Sequence, residues 1–222
     1  MRHDGAMPTT RTLASAAYAA LATADTVLAT SPRRHRLRLL TKPLLMPALA
    51  ATAWPDRNDP AVRHMLAAQT LSWGGDLALL GHSRRAFLAG TASFLGAHLG
   101  YIAAYRERSK VPPLSTPQAR AIALGGLLAA TSMGLAAGRT DRKLAIPVAA
   151  YGAALATMVA TSTEVPDTSR RLTTGTSLFM LSDTMLGVRK FLLGDRGNTV
   201  EGAVMASYTA AQWLISEGVR RS

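Results

Sequence analysis

The chain has 222 residues, 48% of them hydrophobic, and a mean hydropathy of +0.13, so bulk composition alone does not separate a soluble fold from a membrane one. With no cysteine, disulfides and thiolate metal sites are excluded. The formal net charge of +12 would suit a nucleic-acid partner, but Lys and Arg stand at the ends of apolar runs and aromatic residues make up only 5%; this pattern fits basic caps on membrane helices facing anionic lipid, and no nucleic-acid partner is expected.

Segmentation carries the class. Charges crowd into short clusters, and between them lie uncharged or singly charged runs of roughly 15–20 residues, the length that crosses about 30 Å of hydrocarbon. Ala, Gly and Thr fill these runs more than Leu and Ile, which keeps the average hydropathy low. The expected fold is all-α, a polytopic membrane bundle of about eight transmembrane helices, with 1–10 a polar lead and 11–222 a single transmembrane domain.

The first helix is expected over 12–30 and carries Asp25; its Ala-rich core is broken by Thr and Asp and is followed by seven more apolar runs, so it reads as a span and not a signal peptide. The second, 37–54, holds Lys42 and two prolines four apart, Pro43 and Pro47, which free backbone carbonyls that neighbouring groups must satisfy. The third, 62–80, bears Asp76, and the fourth, 86–105, bears His98. Pro112-Pro113 marks 106–117 as an extended connection. Helices five (121–138) and six (144–163) carry no charge, and their small residues, including Gly134 and Gly138, predict close packing and a scaffold role. Helix seven (172–193) holds Asp183, and helix eight (200–217) holds Tyr208 and Gln212.

Eight spans put both ends of the chain on one membrane face, here face A; the opposite side is face B. Lys and Arg divide evenly between the two, so the positive-inside rule gives no orientation. Depth is more telling. At 1.5 Å per residue, Asp25, Lys42, Asp76 and Asp183 all fall roughly 5–15 Å beneath face B, as the walls of a shared polar pocket would. A carboxylate costs about 2.5–3.5 kcal/mol to insert there, so one that persists marks a functional site. The bland alternatives are snorkelling of Asp25 and Lys42 to the headgroups, and an ion pair of Lys42 with Asp76 or Asp183 that only holds the bundle together. Taken on their own, His98 reads first as a hydrogen-bonded packing residue, and Tyr208 with Gln212 as a pair bonding across helices.

Several short motifs occur in order over about 41–215: Thr41-Lys42-Pro43-Leu44 with Met46-Pro47; Gly75-Asp76 before a short basic turn; Phe94-Leu95 with His98-Leu99 and Tyr101-Ile102; Leu178-Phe179 with Ser182-Asp183; and Tyr208 with Gln212. Together they resemble the YhhN or TMEM86 family of membrane lysoplasmalogenases. The resemblance implies a hydrolase that cleaves the vinyl ether of lysoplasmalogens to a fatty aldehyde and a glycerophospho-base, with a lysophospholipid as substrate and no cofactor. It implies Asp76 and Asp183 as catalytic positions and Lys42, His98, Tyr208 and Gln212 as pocket residues; Asp25 lies in the first helix, where the match is poorest.

Vinyl-ether hydrolysis needs an acid that protonates the alkene carbon and a base or anion beside the resulting oxocarbenium ion, and a carboxyl pair meets both needs. Arg33 to Arg38, Arg84, Arg85, Arg189 and Lys190 would lie above the carboxylates as phosphate contacts. Three other readings use the same residues: a small-cation or proton transporter with Asp25, Asp76 and Asp183 as relay, a structural or lipid-binding protein, and a metal-dependent hydrolase with His98 and the two aspartates as ligands. The expected location is a bacterial cell membrane.

Overall fold

A computed structural model describes residues 9–30, 35–81, 83–166, 169–192 and 198–221. The polar lead up to residue 8, together with Arg33, Arg34, His82 and Arg196, lies outside the described residues. Eight α-helices make up the described chain: α1 (Thr10–Ala29), α2 (His35–Ala53), α3 (Pro60–Ala78), α4 (Arg84–Arg108), α5 (Pro117–Thr140), α6 (Ala145–Ser162), α7 (Ser169–Phe191) and α8 (Asn198–Arg221). Their starts are written in the sequence. Thr9, Asp59, Ser83 and Thr116 each accept a hydrogen bond from a first-turn backbone N–H, and Pro60 and Pro117 follow two of these caps, where a missing N–H costs nothing. That is why α3 and α5 begin earlier than the apolar runs predict. At the other end α4 runs on to Arg108, whose guanidinium is anchored to Asp59 at 2.9 Å and to the Val219 carbonyl at 3.1 Å.

The helices associate as sequential pairs, α1 with α2, α3 with α4, α5 with α6 and α7 with α8, as short connections require. Within this arrangement α8 is central, touching α1, α2, α3, α4 and α7, while α5 packs mainly on α6 at the edge. Leu124, Leu128 and Leu135 of α5 and Ile146 of α6 point outward as a lipid-facing surface. Among the described residues, α1, α4, α5 and the segment Arg142–Ser162 are long and apolar enough by themselves to cross a membrane. The other four helices are 19–24 residues long but carry polar side chains inward, which lowers their hydropathy.

Close packing rests on absent side chains at a few points. A Cβ at Gly75 would lie 2.4 Å from the Phe94 ring, so this glycine lets α4 press its aromatic against the residue next to Asp76. At Gly134 a Cβ would meet the Ala145 carbonyl at 2.7 Å, which agrees with the close α5–α6 contact read from the sequence. The second proline of α2 is accommodated by one bond. Pro47 has no N–H to give the carbonyl of Pro43 four residues earlier, and the indole N–H of Trp73 donates to that carbonyl instead at 2.8 Å.

On face A an ionic clasp joins the beginning, middle and end of the chain. Asp56 accepts from Arg11 at 2.7 Å and from Arg220 at 3.0 Å, and Glu217 holds Arg220 at 2.6 Å. Glu164 is nearly buried and collects the backbone N–H groups of Leu114, Ser115 and Thr116, fixing the α4–α5 connection in which Leu114 has φ of 54°.

Candidate active site

Asp76 sits two residues before the end of α3, on the face that packs against α4 and α8. It is 3% exposed, lies 3.2 Å from the Lys42 ammonium of α2, and accepts a 2.8 Å hydrogen bond from the Tyr208 hydroxyl of α8. Behind Tyr208 the chain of bonds continues: the Gln212 amide donates to the Tyr208 oxygen at 3.3 Å, and the Tyr101 hydroxyl donates to the Gln212 carbonyl oxygen. Asp183 lies eight residues before the end of α7 and has a different partner, the hydroxyl of Tyr151 on α6. Among the described residues no cation pairs with it.

Both carboxylates open onto one cavity of about 220 Å³, formed by parts of α2 through α8. Its walls are mainly apolar, with Phe94, Met133, Leu155, Met180 and Met205 among them; Lys42, Asp76, Tyr151, Asp183 and Tyr208 are among its polar lining. Toward face B it ends at Phe87, Lys190 and Phe191, near the start of α4 and the end of α7. There the Lys190 ammonium lies 4.6 Å above the Phe87 ring, which meets Phe191 edge-on at 6.1 Å. The levels are less even than depth counting implies. Measured from their own helix ends, Asp76 lies about 3 Å in, Lys42 about 10 Å and Asp183 about 12 Å, because α3 stops early.

Of the residues singled out in the sequence, Lys42, Asp76, Asp183 and Tyr208 line this cavity. Gln212 stands one layer behind, bonded to Tyr208. His98 is fully buried, with its ring 4.9 Å from that of Tyr151 and 5.2 Å from that of Phe179. Asp25 stands apart. It is fully buried, accepts from Thr41 at 2.6 Å and from Arg38 at 3.3 and 3.4 Å, and Arg38 in turn holds Glu201 at 2.6 Å. Depth can be counted from a helix end, but the direction a side chain takes around the axis depends on neighbours, and Asp25 turns toward the start of α2.

Of the basic residues named as phosphate contacts, Arg38 and Arg189 are engaged with Glu201 and Arg84 with Asp141, whereas Lys190 lines the cavity. Tyr151 was missed: in an uncharged Ala- and Gly-rich helix it reads as scaffold, and the usable signal was a lone phenol in the middle of such a run. Helices α5 and α6 also wall the cavity, through Gly126, Met133, Val148 and Leu155, and so do more than brace the bundle. Among the described residues no three His, Asp or Glu side chains gather as a metal-binding set.

A bundle of eight helices, four of them long and apolar enough to cross a membrane among the described residues, with two carboxylates opening on one mainly apolar cavity, defines a polytopic integral-membrane protein. Residues 37–219 match the YhhN family, and the chain belongs to that family. Two proteins named lysoplasmalogenase, from Mycobacterium bovis and Mycobacterium tuberculosis, are each 31% identical to it over 178 residues, 77% of this chain. The match covers 65% of each of those relatives, so the chain spans just under two thirds of their length. No solved structure matches the chain.

Proposed function

We propose that the chain is an ether hydrolase of the lysoplasmalogenase type, acting in a bacterial cell membrane on a single-chain phospholipid whose chain is joined through a vinyl ether. The observation that carries this reading is the unequal pair of carboxylates on one cavity: Asp76 is compensated by Lys42, and Asp183 is held by a phenol, with no cation beside it among the described residues. At about 220 Å³ the cavity is smaller than the ~300–1,000 Å³ of sites for drug-sized ligands, which suits one thin aliphatic chain. The names of the mycobacterial relatives point to the same chemistry.

In this mechanism the lipid chain occupies the apolar cavity, the phosphate stays near Lys190, and the vinyl ether lies level with the carboxyls. Asp183, oriented by Tyr151, gives its proton to the outer alkene carbon, and the alkene electron pair forms the new C–H bond. Positive charge develops on the carbon bearing oxygen and is stabilised by the Asp76 carboxylate, itself fixed by Lys42 and Tyr208. Water adds to that carbon and leaves its proton on Asp76. The hemiacetal then collapses: its O–H proton returns to Asp183, the proton on Asp76 goes to the departing ether oxygen, and glycerophospho-base and aldehyde separate. One water is consumed, and both carboxyls are restored.

Loss of a general acid or base typically costs 10²–10⁴ in rate. Asp183→Asn and Asp76→Asn in the purified protein should each lower aldehyde release from a vinyl-ether lysophospholipid by at least about 100-fold while elution and thermal unfolding stay near wild type. An Asp183→Asn protein that keeps half its rate would remove Asp183 from the chemistry.

A further inference from the structure

Polar side chains continue inward from the site toward face A. On α3, Ser72 and Gln69 lie four and seven residues before Asp76, on one helical face. On α4, Tyr101 and Tyr105 are one turn apart, their rings stacked with centroids 6.4 Å apart. On α8, Gln212 and Ser216 continue the four-residue spacing begun by Tyr208. As α3 runs from A to B while α4 and α8 run from B to A, all three sets descend together, over about 12 Å from the Asp76–Tyr208 pair.

These six side chains are fully buried or within 1% of it. Tyr101 bonds Gln212 and meets the Ser72 hydroxyl, but among the described residues the Tyr105 and Ser216 hydroxyls and both ends of the Gln69 amide have no protein partner. Orphaned donors and acceptors are costly in an apolar interior, and buried water bonded to about three such groups is their usual remedy. Hydrolysis also needs a route for its second reactant, because a lipid lying in the apolar cavity closes the face-B side.

We propose that Gln69, Ser72, Tyr101, Tyr105, Gln212 and Ser216 bind a column of buried water that leads from face A to the rear of the Asp76–Tyr208 pair and supplies the water consumed in turnover. The supply role rests on the hydrolase reading; hydration of the column does not. Radical footprinting separates the two. The full chain in liposomes is exposed to an X-ray pulse, which makes hydroxyl radicals from water inside the protein, and modified residues are located by mass spectrometry. Tyr101 and Tyr105 should be labelled within about tenfold of the exposed Trp54, whereas Met158, equally buried but in the apolar α6, should not. Gln69→Leu and Ser216→Val should reduce Tyr105 labelling and lower kcat about tenfold with KM unchanged. Tyr101 and Tyr105 as unreactive as Met158 in the wild-type protein would overturn the column, whatever the variants do. Labelling that disappears in Gln69→Leu with kcat intact would overturn the supply role. Labelling in a protein that hydrolyses no vinyl ether would sink the hydrolase reading and the supply role together while confirming a hydrated column.

Discussion

Two aspartates of equal formal chemistry have been given unequal surroundings. Asp76 shares a desolvated ion pair with Lys42 and a phenol hydrogen bond, an arrangement that keeps a compensated charge in place. Asp183 has the Tyr151 phenol, with no cation beside it among the described residues, and faces the cavity. In the proposed mechanism Lys190, which lines the cavity beside Phe87 and Phe191, is the group that meets the lipid phosphate, and ammonium–phosphate contacts are charge-assisted. Lys190→Ala should therefore raise KM for a phosphate-bearing lysolipid about tenfold, equivalent to about 1.4 kcal/mol, with kcat little changed. Arg171→Ala, exposed at the face-A end of α7, should leave KM where it was. Equal effects from the two substitutions in steady-state kinetics would place the lipid entrance elsewhere.

At the scale of the helix, α2 shows how a proline inside a helix can be tolerated. The carbonyl that Pro47 leaves free is taken by Trp73 from α3, which also places Lys42, one residue before Pro43, within reach of Asp76, three residues after Trp73. Trp73→Phe should strand that carbonyl and destabilise the protein by about 1–3 kcal/mol, read as a lower midpoint of unfolding in detergent. Adding Pro47→Ala should recover much of the loss, because residue 47 then donates the missing N–H within the helix; a double variant no more stable than Trp73→Phe alone would contradict this account. The elements themselves were legible because charge marks their ends: Arg36 and Arg38 open α2, Arg84 and Arg85 open α4, and Arg189 and Lys190 close α7. Depth was legible by counting, so Lys42, Asp76 and Asp183 could be placed near one another. What counting cannot supply is the direction of a side chain around its helix, so counting alone places Asp25 in the same pocket although its ion-pair partner is Arg38. Nor does an uncharged phenol announce itself, and Tyr151, the partner of Asp183, lies in a helix that reads as scaffold.

Across the whole molecule the two faces do different work. Toward face B lies the end of the cavity bounded by Phe87, Lys190 and Phe191, and face A carries the clasp of Arg11, Asp56, Asp59, Arg108 and Arg220 that ties both ends of the described chain to the α2–α3 and α4 connections. Burial alone would raise the Asp56 carboxyl, but Arg220 and Arg11 outweigh it and hold it below its ordinary value; Arg108 and the N–H groups of Val62 and Ala61 do the same for Asp59. A carboxyl depressed in the folded state contributes stability above its unfolded pKa, about 3.9 for Asp, and loses it as the pH falls through the folded value. Unfolding midpoints should accordingly drop on acidification below about pH 4, and Asp56→Asn with Asp59→Asn should flatten that drop; an unchanged acid limb would mean that the clasp adds nothing. The central claim, that this bundle hydrolyses a vinyl ether beside its two carboxyls, is tested most directly by offering the purified protein in liposomes vinyl-ether, alkyl-ether and acyl lysophospholipids side by side and measuring products by mass spectrometry. Fatty aldehyde from the vinyl ether alone is the predicted result. Fatty acid from the acyl lipid, or no product from any of the three with the protein folded, would contradict it.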